Sequence, residues 1–334
     1  MPIRSQILGT GHYVPEKVVT NFDLEKMMET TDEFITTRTG VRERRHAEAD
    51  TSASDLGIPA AKAAVADAGL TMDRIDCVIM NTITPDHNDP GCAFFLQAKL
   101  GVGHIPAIDI KQQCCGLIFG CSIADHFVRL GTYRHVLVVC SEVLSKRIDG
   151  SYDGRNISIL FGDGAGAVVV GPSDDPETGI RSAILHADGS MAKVLYTAAP
   201  GTATGKKTFI DHEDIDEGRV YFRMHGKTVF ENGVARMCEG VEESFKLNNI
   251  GYNDIRLLIP HQPNLRMIEA IIERTGIAAD KIFVNVEKFG NMASACLPIA
   301  LDQARKQGRF KKGDLVQLVA FGSGFVWASM LVKF

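Results

Sequence analysis

Three side chains in this sequence could do chemistry together although they lie far apart along it: the thiol of Cys114, the imidazole of His261 and the carboxamide of Asn291. Cys114 follows the apolar strand pattern Ala107 to Ile110 and opens a helical pattern that closes at Gly131, 17 residues on. Asn291 follows a strand pattern that begins at Phe283 and opens a helical pattern that closes at Gly308, again 17 residues on. An apolar strand comes next in each case, Val136 to Cys140 and Leu315 to Ala320. The likeness extends upstream. Asp73 to Asn81 aligns with Asn253 to His261 when Ile75 is set on Ile255, so His261 ends a strand whose twin ends at Asn81. A duplicated α/β chain with a pseudo-twofold axis between its halves would bring thiol, imidazole and carboxamide face to face.

Each of these residues has a chemical use and a plain one. A thiol attacks as its thiolate, and with a free pKa of about 8.5 little of it is ionised at neutral pH. The unpaired N–H groups and positive dipole end at a helix start favour the anion. Cys114 is therefore read as a nucleophile, whereas Cys115 and Cys121 suit a packed interior. A histidine at the carboxyl end of a strand lies where α/β folds place ligands. Asn291 is by itself a good helix N-cap; its pairing with Cys114 is what makes it a site residue. Gly322-Ser323-Gly324, after a strand, could turn backbone N–H groups toward a cavity as an oxyanion hole requires. Gly162-Asp-Gly-Ala-Gly166 is a poor nucleotide fingerprint because a strand pattern, not a helix, follows it. Tight turning or close backbone packing explains those glycines better. Asp211 to Glu217 reads as a solvated acidic loop rather than a metal site.

The elements that must position these groups alternate in an α/β manner. Helical patterns cover 54–68 (closed by Gly69), 114–130 and 224–247, and strand patterns cover 77–80, 107–110 and 136–140. A Gly-, Thr-, Lys- and acid-rich loop spans roughly 197–217. The polar stretch from Pro172 to Thr178 divides an N-terminal half, 1–172, carrying the cysteine from a C-terminal half, 173–334, carrying His261 and Asn291. With 334 residues, 45% of them hydrophobic, substantial cores are expected. A formal charge of −5 argues against a nucleic-acid partner, which needs a basic field. The eight cysteines form no Cys-x-x-Cys pair, no apolar run reaches membrane-spanning length, and no secretory signal is read at the N-terminus. A cytoplasmic protein with reduced thiols, no metal and no membrane span is the expectation.

Taken together, these segments resemble the β-ketoacyl-acyl carrier protein synthase III family, condensing enzymes of the thiolase superfamily. The resemblance runs over nearly the whole chain. Its carriers are the Thr31 to Arg44 segment, the Cys114 segment, Phe161-Gly-Asp-Gly-Ala-Gly, Pro260-His-Gln-Pro-Asn-Leu-Arg266, Gly290-Asn291, and Phe321-Gly-Ser-Gly-Phe325. It implies a thiolase-like α/β fold, with two pseudo-twofold-related βαβαβ halves in a layered α-β-α-β-α core. By the same resemblance, Cys114 takes an acyl group from an acyl-CoA, and the N–H groups of Cys114 and Ser323 form the oxyanion hole. His261 and Asn291 hydrogen-bond the thioester carbonyl of malonyl-acyl carrier protein, whose decarboxylation gives the enolate that attacks the acyl-cysteine. Phe34, Arg38 and Arg155 match positions that hold coenzyme A, and Arg266 one that meets the acidic carrier protein. Asp89, His225 and Gly226 fall by the acyl pocket. The family implies a homodimer with no bound cofactor, working in fatty acid biosynthesis.

Three departures from the family pattern stand out. Lys111-Gln-Gln precedes Cys114 where small residues are usual, which implies remodelled surroundings for the nucleophile. The 197–217 loop is lengthened. Asp89 precedes Pro90 where the family commonly has Phe. Asp89 raises an alternative, a non-decarboxylative condensation of two acyl-CoAs with Asp89 of a partner subunit as base. A non-catalytic acyl-binding scaffold is the alternative from another class.

Overall fold

The computed structural model describes residues 4–334, so the N-terminal reading at residues 1–3 lies outside it. Strands buried on both faces build two mixed sheets of the same design. The first contains β1 (Arg4–Tyr13), β2 (Cys77–Asn81), β3 (Ala107–Ile110), β4 (Val136–Glu142) and β5 (Gly164–Ser173) in the order β1-β5-β4-β2-β3. The second contains β6 (Gly179–Ala187), β7 (Leu257–Pro260), β8 (Leu315–Gly322) and β9 (Val326–Lys333) in the order β6-β9-β8-β7. In each sheet the two outermost of these pairings, β1 with β5 and β6 with β9, are antiparallel, while β2 with β4 and β7 with β8 are parallel. The partner of β3 shrinks in the second sheet to a single parallel bridge, Leu258 to Ile282.

Helices cover both outer faces and fill the middle. On the first sheet lie α1 (Ala53–Asp67) and α2 (Cys92–Leu100). Between the sheets lie α3 (Gly116–Arg129) and, from the second half, α6 (Cys296–Lys306). The second sheet is covered by α4 (Gly226–Asn248) and α5 (Leu265–Thr275). Strand alternation decides which layer each side chain joins. Val136, Val138 and Cys140 face the middle layer, packing with Leu117, Ile118 and Leu301; Leu137 and Val139 face the outer one, packing with Leu56 and Leu96. The result is the α-β-α-β-α sandwich that the family resemblance implies.

Local signals in the sequence explain most boundaries. α1 starts at a capping box, with Ser52 and Asp55 each satisfying the other's backbone N–H, and Gly69 follows it in the left-handed region (φ 67°). β1 lies so close to α1 that a Cβ on Gly9 would sit 2.3 Å from the Ala64 carbonyl oxygen. The Gly162–Gly166 run serves close packing: a Cβ on Gly162 would lie 2.2 Å from the Phe289 carbonyl oxygen, and one on Gly166 would lie 2.7 Å from Pro298. The 197–217 segment is more ordered than a loop. It ends in a short helix, His212–Asp216, capped by Asp211. Asp214 there is fully buried and paired with Lys206 (3.2 Å) and Arg219 (3.0 Å), so an ion-pair network anchors the acidic stretch while Glu213, Asp216 and Glu217 stay exposed.

Candidate active site

The nucleophile turn is held from below by Asn81, the buried last residue of β2. Its Oδ1 accepts the Gln112 N–H (2.8 Å) and its Nδ2 donates to the Gln113 carbonyl (3.3 Å). Gln113 takes a positive φ of 50°, and the chain then makes a 3-10 turn over Gln113–Cys115 before α3 begins at Gly116. A Cβ on Gly116 would lie 2.3 Å from the Asn81 amide, so glycine is what lets the helix start there. The helix thus begins two residues after Cys114 instead of at it. The electrostatic expectation also changes. Burial pushes the Cys114 thiol well above its ordinary range, and the neighbouring Cys115, Cys296 and Glu142 push it the same way. Desolvation works against the helix start and favours the protonated thiol.

His261 and Asn291 come from the other half. His261 follows β7 and is nearly sealed, its backbone N–H bonded to the Val319 carbonyl at 2.7 Å. Burial drops its imidazole to about 3, so the ring is neutral. Nδ1 is buried without a partner. Asn291 is tied on both sides of its peptide, to the Leu160 carbonyl (2.7 Å) and the Gly162 N–H (3.1 Å). Its side-chain Oδ1 accepts the Ala293 N–H at 2.8 Å, which leaves the amide N–H2 as the end available to a substrate. Asn291 is not the N-cap of α6, which starts at Cys296.

Cys114, His261 and Asn291 line one cavity of about 140 Å3, with Leu160, Met224, Gly226, Phe230, Met267, Phe321 and Gly322 among its apolar and small walls. β8 runs hard against the nucleophile: a Cβ on Gly322 would lie 3.0 Å from the Cys114 nitrogen. The next residue, Ser323, donates its hydroxyl to Gln113 Oε1 at 2.9 Å. Gly226, Leu160, Met224 and Phe230 also line a larger outer cleft of about 760 Å3, which carries Arg38 and Arg266. At the edge of α1's half, Phe34 lies under the guanidinium groups of Arg38 (4.4 Å) and Arg155 (4.9 Å).

One expected residue, His225, is not brought in, and Asp89 is one expected from a partner subunit. His225 immediately precedes α4 with its side chain exposed and is absent from the cavity wall; Gly226 beside it does line the cavity. Asp89 is exposed between β2 and α2 and does not line the cavity of its own chain. Sequence reasoning missed several contributors. Lys227 and Arg223 add positive charge to the outer cleft, and Tyr152 stacks on Arg155 at 3.8 Å. The largest omission is Glu142, a fully buried carboxyl close enough to act on Cys114 and Cys296. It accepts from Ser294 Oγ, from the Ile83 N–H (3.0 Å), and from the hydroxyls of Thr84 (3.0 Å) and Thr82 (3.3 Å). Burial still raises it to about 7 against those four donors. Glu142 and Ser294 are 152 residues apart, and no local pattern announces their contact. Among the described residues, no group of three or more His, Cys, Asp or Glu could hold a metal ion, and no helix is long and apolar enough to cross a membrane.

A thiol, an imidazole and a carboxamide lining one cavity between two sheets of like design fit a condensing enzyme of thiolase-like fold. Comparison with known proteins narrows this. The family model for 3-oxoacyl-[acyl-carrier-protein] synthase III matches residues 108–189, and the model of its C-terminal portion matches residues 245–334. The β-ketoacyl-[acyl-carrier-protein] synthase III of Caldanaerobacter subterraneus is 44% identical over 99% of this chain and 98% of its own length. That of Serratia proteamaculans is 41% identical, with 99% of both chains covered. The crystal structure of 3-oxoacyl-[acyl-carrier-protein] synthase III from Aquifex aeolicus superposes with a TM-score of 0.89 at 38% identity, covering 99% of this chain and 100% of that one. The chain belongs to the β-ketoacyl-[acyl-carrier-protein] synthase III family and is an acyl-transferring condensing enzyme. Neither alternative raised by the sequence, the Asp89-based condensation or the non-catalytic scaffold, is favoured by these likenesses.

Proposed function

We propose that Cys114, His261 and Asn291 carry the two half-reactions of this condensation, with an acyl-CoA and malonyl-acyl carrier protein as substrates. The observation that supports it best is their shared cavity, reached from a cleft lined by Arg38, Arg223, Lys227 and Arg266. In the first half-reaction, Cys114 Sγ attacks the thioester carbonyl carbon. The backbone N–H groups of Cys114 and Ser323 hold the oxygen as it becomes an anion. The carbon–sulfur bond to coenzyme A then breaks, and the thiol proton ends on the departing coenzyme A sulfur. Because sulfur attacks as the thiolate, the proton that burial favours on Cys114 leaves as the new carbon–sulfur bond forms.

In the second half-reaction the malonyl thioester carbonyl sits between His261 and the Asn291 amide. Loss of carbon dioxide leaves its electron pair on the enolate, and the two donors stabilise the oxygen without a metal. His261 at about 3 is a poor base but a good neutral donor once its proton is on Nε2. The enolate carbon attacks the acyl-Cys114 carbonyl and expels the cysteine sulfur, and the 3-ketoacyl product leaves on the carrier. Splitting the chemistry at a covalent intermediate gives ping-pong kinetics. Phe34, Arg38 and Arg155 fit the coenzyme A nucleotide, and Arg266 the acidic carrier. The reading includes a cytoplasmic homodimer, with the nucleophile in the half 1–172 and the donors in the half 173–334. Incubation with acyl-CoA followed by mass spectrometry tests it. An acyl adduct on Cys114 that malonyl-acyl carrier protein discharges as 3-ketoacyl product is expected; no adduct with any acyl-CoA sinks the proposal.

A further inference from the structure

A second pocket, of about 610 Å3, lies beside the Cys114 turn and shares Phe222 with the entry cleft. Gln113 and Ser323, the neighbours of Cys114 and Gly322, form one wall of it, and Leu195 lines both this pocket and the Cys114 cavity. The shared Leu195 makes this pocket a candidate space for the tail of a group bound to Cys114. Beside apolar residues such as Ile83, Val143, Leu195 and Phe222, its lining carries a cluster of cations. Arg147, Lys111 and Lys146 all line it. Its one acidic lining residue, Asp86, is already engaged by Ser54 and by Lys99 (3.5 Å).

Arg147 is the informative residue. Its guanidinium lies over the Phe222 ring at 4.2 Å, and burial lowers its affinity for its proton. Among the described residues it has no ion-pair partner. Its hydrogen bonds go to neutral groups only: the Thr197 hydroxyl at 2.6 Å, and the carbonyls of Val220 and Ile83 at the long distances of 3.5 and 3.4 Å. Glu142 is the acidic group whose charge reaches it, and the oxygens of Glu142 are occupied by Ser294, Ile83, Thr82 and Thr84. A half-buried guanidinium has five N–H donors in a fork suited to a carboxylate, and leaving them without an anion is costly. Arg147 therefore lines this pocket with donors that no acidic group among the described residues engages.

We propose that this pocket selects an acyl primer whose far end is a carboxylate, with Arg147 as the residue that binds it and Lys111 adding positive charge beside the turn. The inference rests on the function proposed above and adds the substrate class. The transfer step is unchanged: the thioester end forms the bond to Cys114 Sγ, coenzyme A leaves as its thiol, and the distal carboxylate takes no part in bond making. The bulky polar Lys111-Gln-Gln segment before the nucleophile fits such a pocket better than it fits an alkyl one.

The test is a competition. Succinyl-, glutaryl- and adipyl-CoA are each offered beside the methyl-ended acyl-CoA of the same length, and the rate of Cys114 adduct formation is read by mass spectrometry. At least one carboxylate-ended primer should exceed its methyl-ended analogue by about 10- to 100-fold in kcat/KM, the range expected of charge-assisted hydrogen bonds. Arg147→Met should abolish that ratio while methyl-ended primers still acylate Cys114, and Lys111→Ala, at an exposed position, should reduce it by a smaller factor. Because the readout is a ratio within one preparation, partial misfolding of a variant does not mimic it. Acylation by methyl-ended primers with no advantage for any carboxylate overturns this inference and leaves the proposed function standing. Acylation by none of them overturns the function itself. An Arg147→Met protein with an unchanged primer ratio but a lost oligomer, by light scattering, assigns the cation to a subunit contact and also overturns the inference.

Discussion

The two strand-to-helix junctions of this chain have the same backbone and opposite uses. Gln112 (φ −99°, ψ 28°) matches Met292 (φ −101°, ψ 30°), and Gln113 (φ 50°) matches Ala293 (φ 42°). Each junction then makes a 3-10 turn and enters a central helix, at Gly116 or at Cys296. By this conformational match the counterpart of Cys114 is Ser294, not Asn291. In the first half the turn presents a thiol to the cavity. In the second it presents a hydroxyl to the buried carboxyl of Glu142, in the opposite half. The lesson is that one backbone scaffold occurs twice, and the side chain at its tip faces a cavity in one case and fastens the fold in the other. The cavity's second donor, Asn291, then comes from three residues upstream of the tip.

The largest expected effect separates the two tips. Cys114→Ala should eliminate the acyl adduct altogether, whereas Ser294→Ala should leave acylation intact. Ser294→Ala removes one of four donors to a buried carboxyl, so it should lower stability by about 1–3 kcal/mol. Mass spectrometry and denaturant unfolding read the two effects separately. An adduct lost in Ser294→Ala protein that remains folded would mean the second tip also takes part in chemistry.

Next in size are the two donors. His261→Ala and Asn291→Ala should each slow decarboxylative condensation by about 10²–10³-fold. Both should still form the acyl-Cys114 adduct, since the first half-reaction uses neither donor. Stopped assays with separate acyl-CoA and malonyl-acyl carrier protein steps check this. Equal losses in both half-reactions would contradict the division of labour.

How much of this was legible in the sequence follows from which forces act locally. The strand and helix patterns, Cys114, His261 and the glycines of close approach leave local signatures, because burial alternates with a short period. The pairing of Cys114 with Asn291 was drawn from equal spacing to a closing glycine. That spacing is equal only because α3 is 14 residues long and α6 is 11, a difference that offsets the three residues between Asn291 and Ser294. Glu142 was illegible for another reason: its donors come from positions 82–84 and 294, and only the closed fold brings them together. The raised thiol of Cys114 has the same origin, since desolvation depends on what packs around a group and not on its neighbours in sequence.

Glu142 also gives a pH test. Its folded value of about 7 lies above the usual 4.5, so the native state holds its proton more tightly than the unfolded chain does. The stability this contributes is present below pH 4.5 and is lost as pH rises through 7, amounting to roughly 3 kcal/mol. His261 works in the other sense. Its folded value of about 3 means that stability is lost as pH falls from about 6.5 toward 3. Glu142→Gln should abolish the loss of stability between pH 5 and 8 while leaving the acid-side loss due to His261. The slope is the readout, because an amide facing four donors changes the absolute value too. The same substitution removes a charge that raises the Cys114 thiol, so the pH profile of acylation should move to lower pH. An unmoved profile together with an unchanged stability slope would mean that Glu142 is not the titrating group.

The smallest expected effect isolates one side-chain tether that the first junction has and the second lacks. Gln113 and Ala293 both sit at positive φ, a region costly for side chains and easy for glycine. Replacing either by glycine relieves that cost and adds freedom to the unfolded chain, so Ala293→Gly should shift stability by no more than about 1 kcal/mol. Gln113→Gly undergoes the same backbone exchange and in addition loses the bond from the Ser323 hydroxyl to Gln113 Oε1. The difference between the two variants, measured by urea unfolding, should therefore be about 0.5–1.5 kcal/mol, with Gln113→Gly the less stable. Ser323→Ala supplies the control: combined with Gln113→Gly it should cost little beyond Gln113→Gly alone, as expected of two ends of one bond. Fully additive losses would mean the side chains act independently. The Ser323 N–H would then be positioned by β8 alone, with no help from the turn that carries the nucleophile.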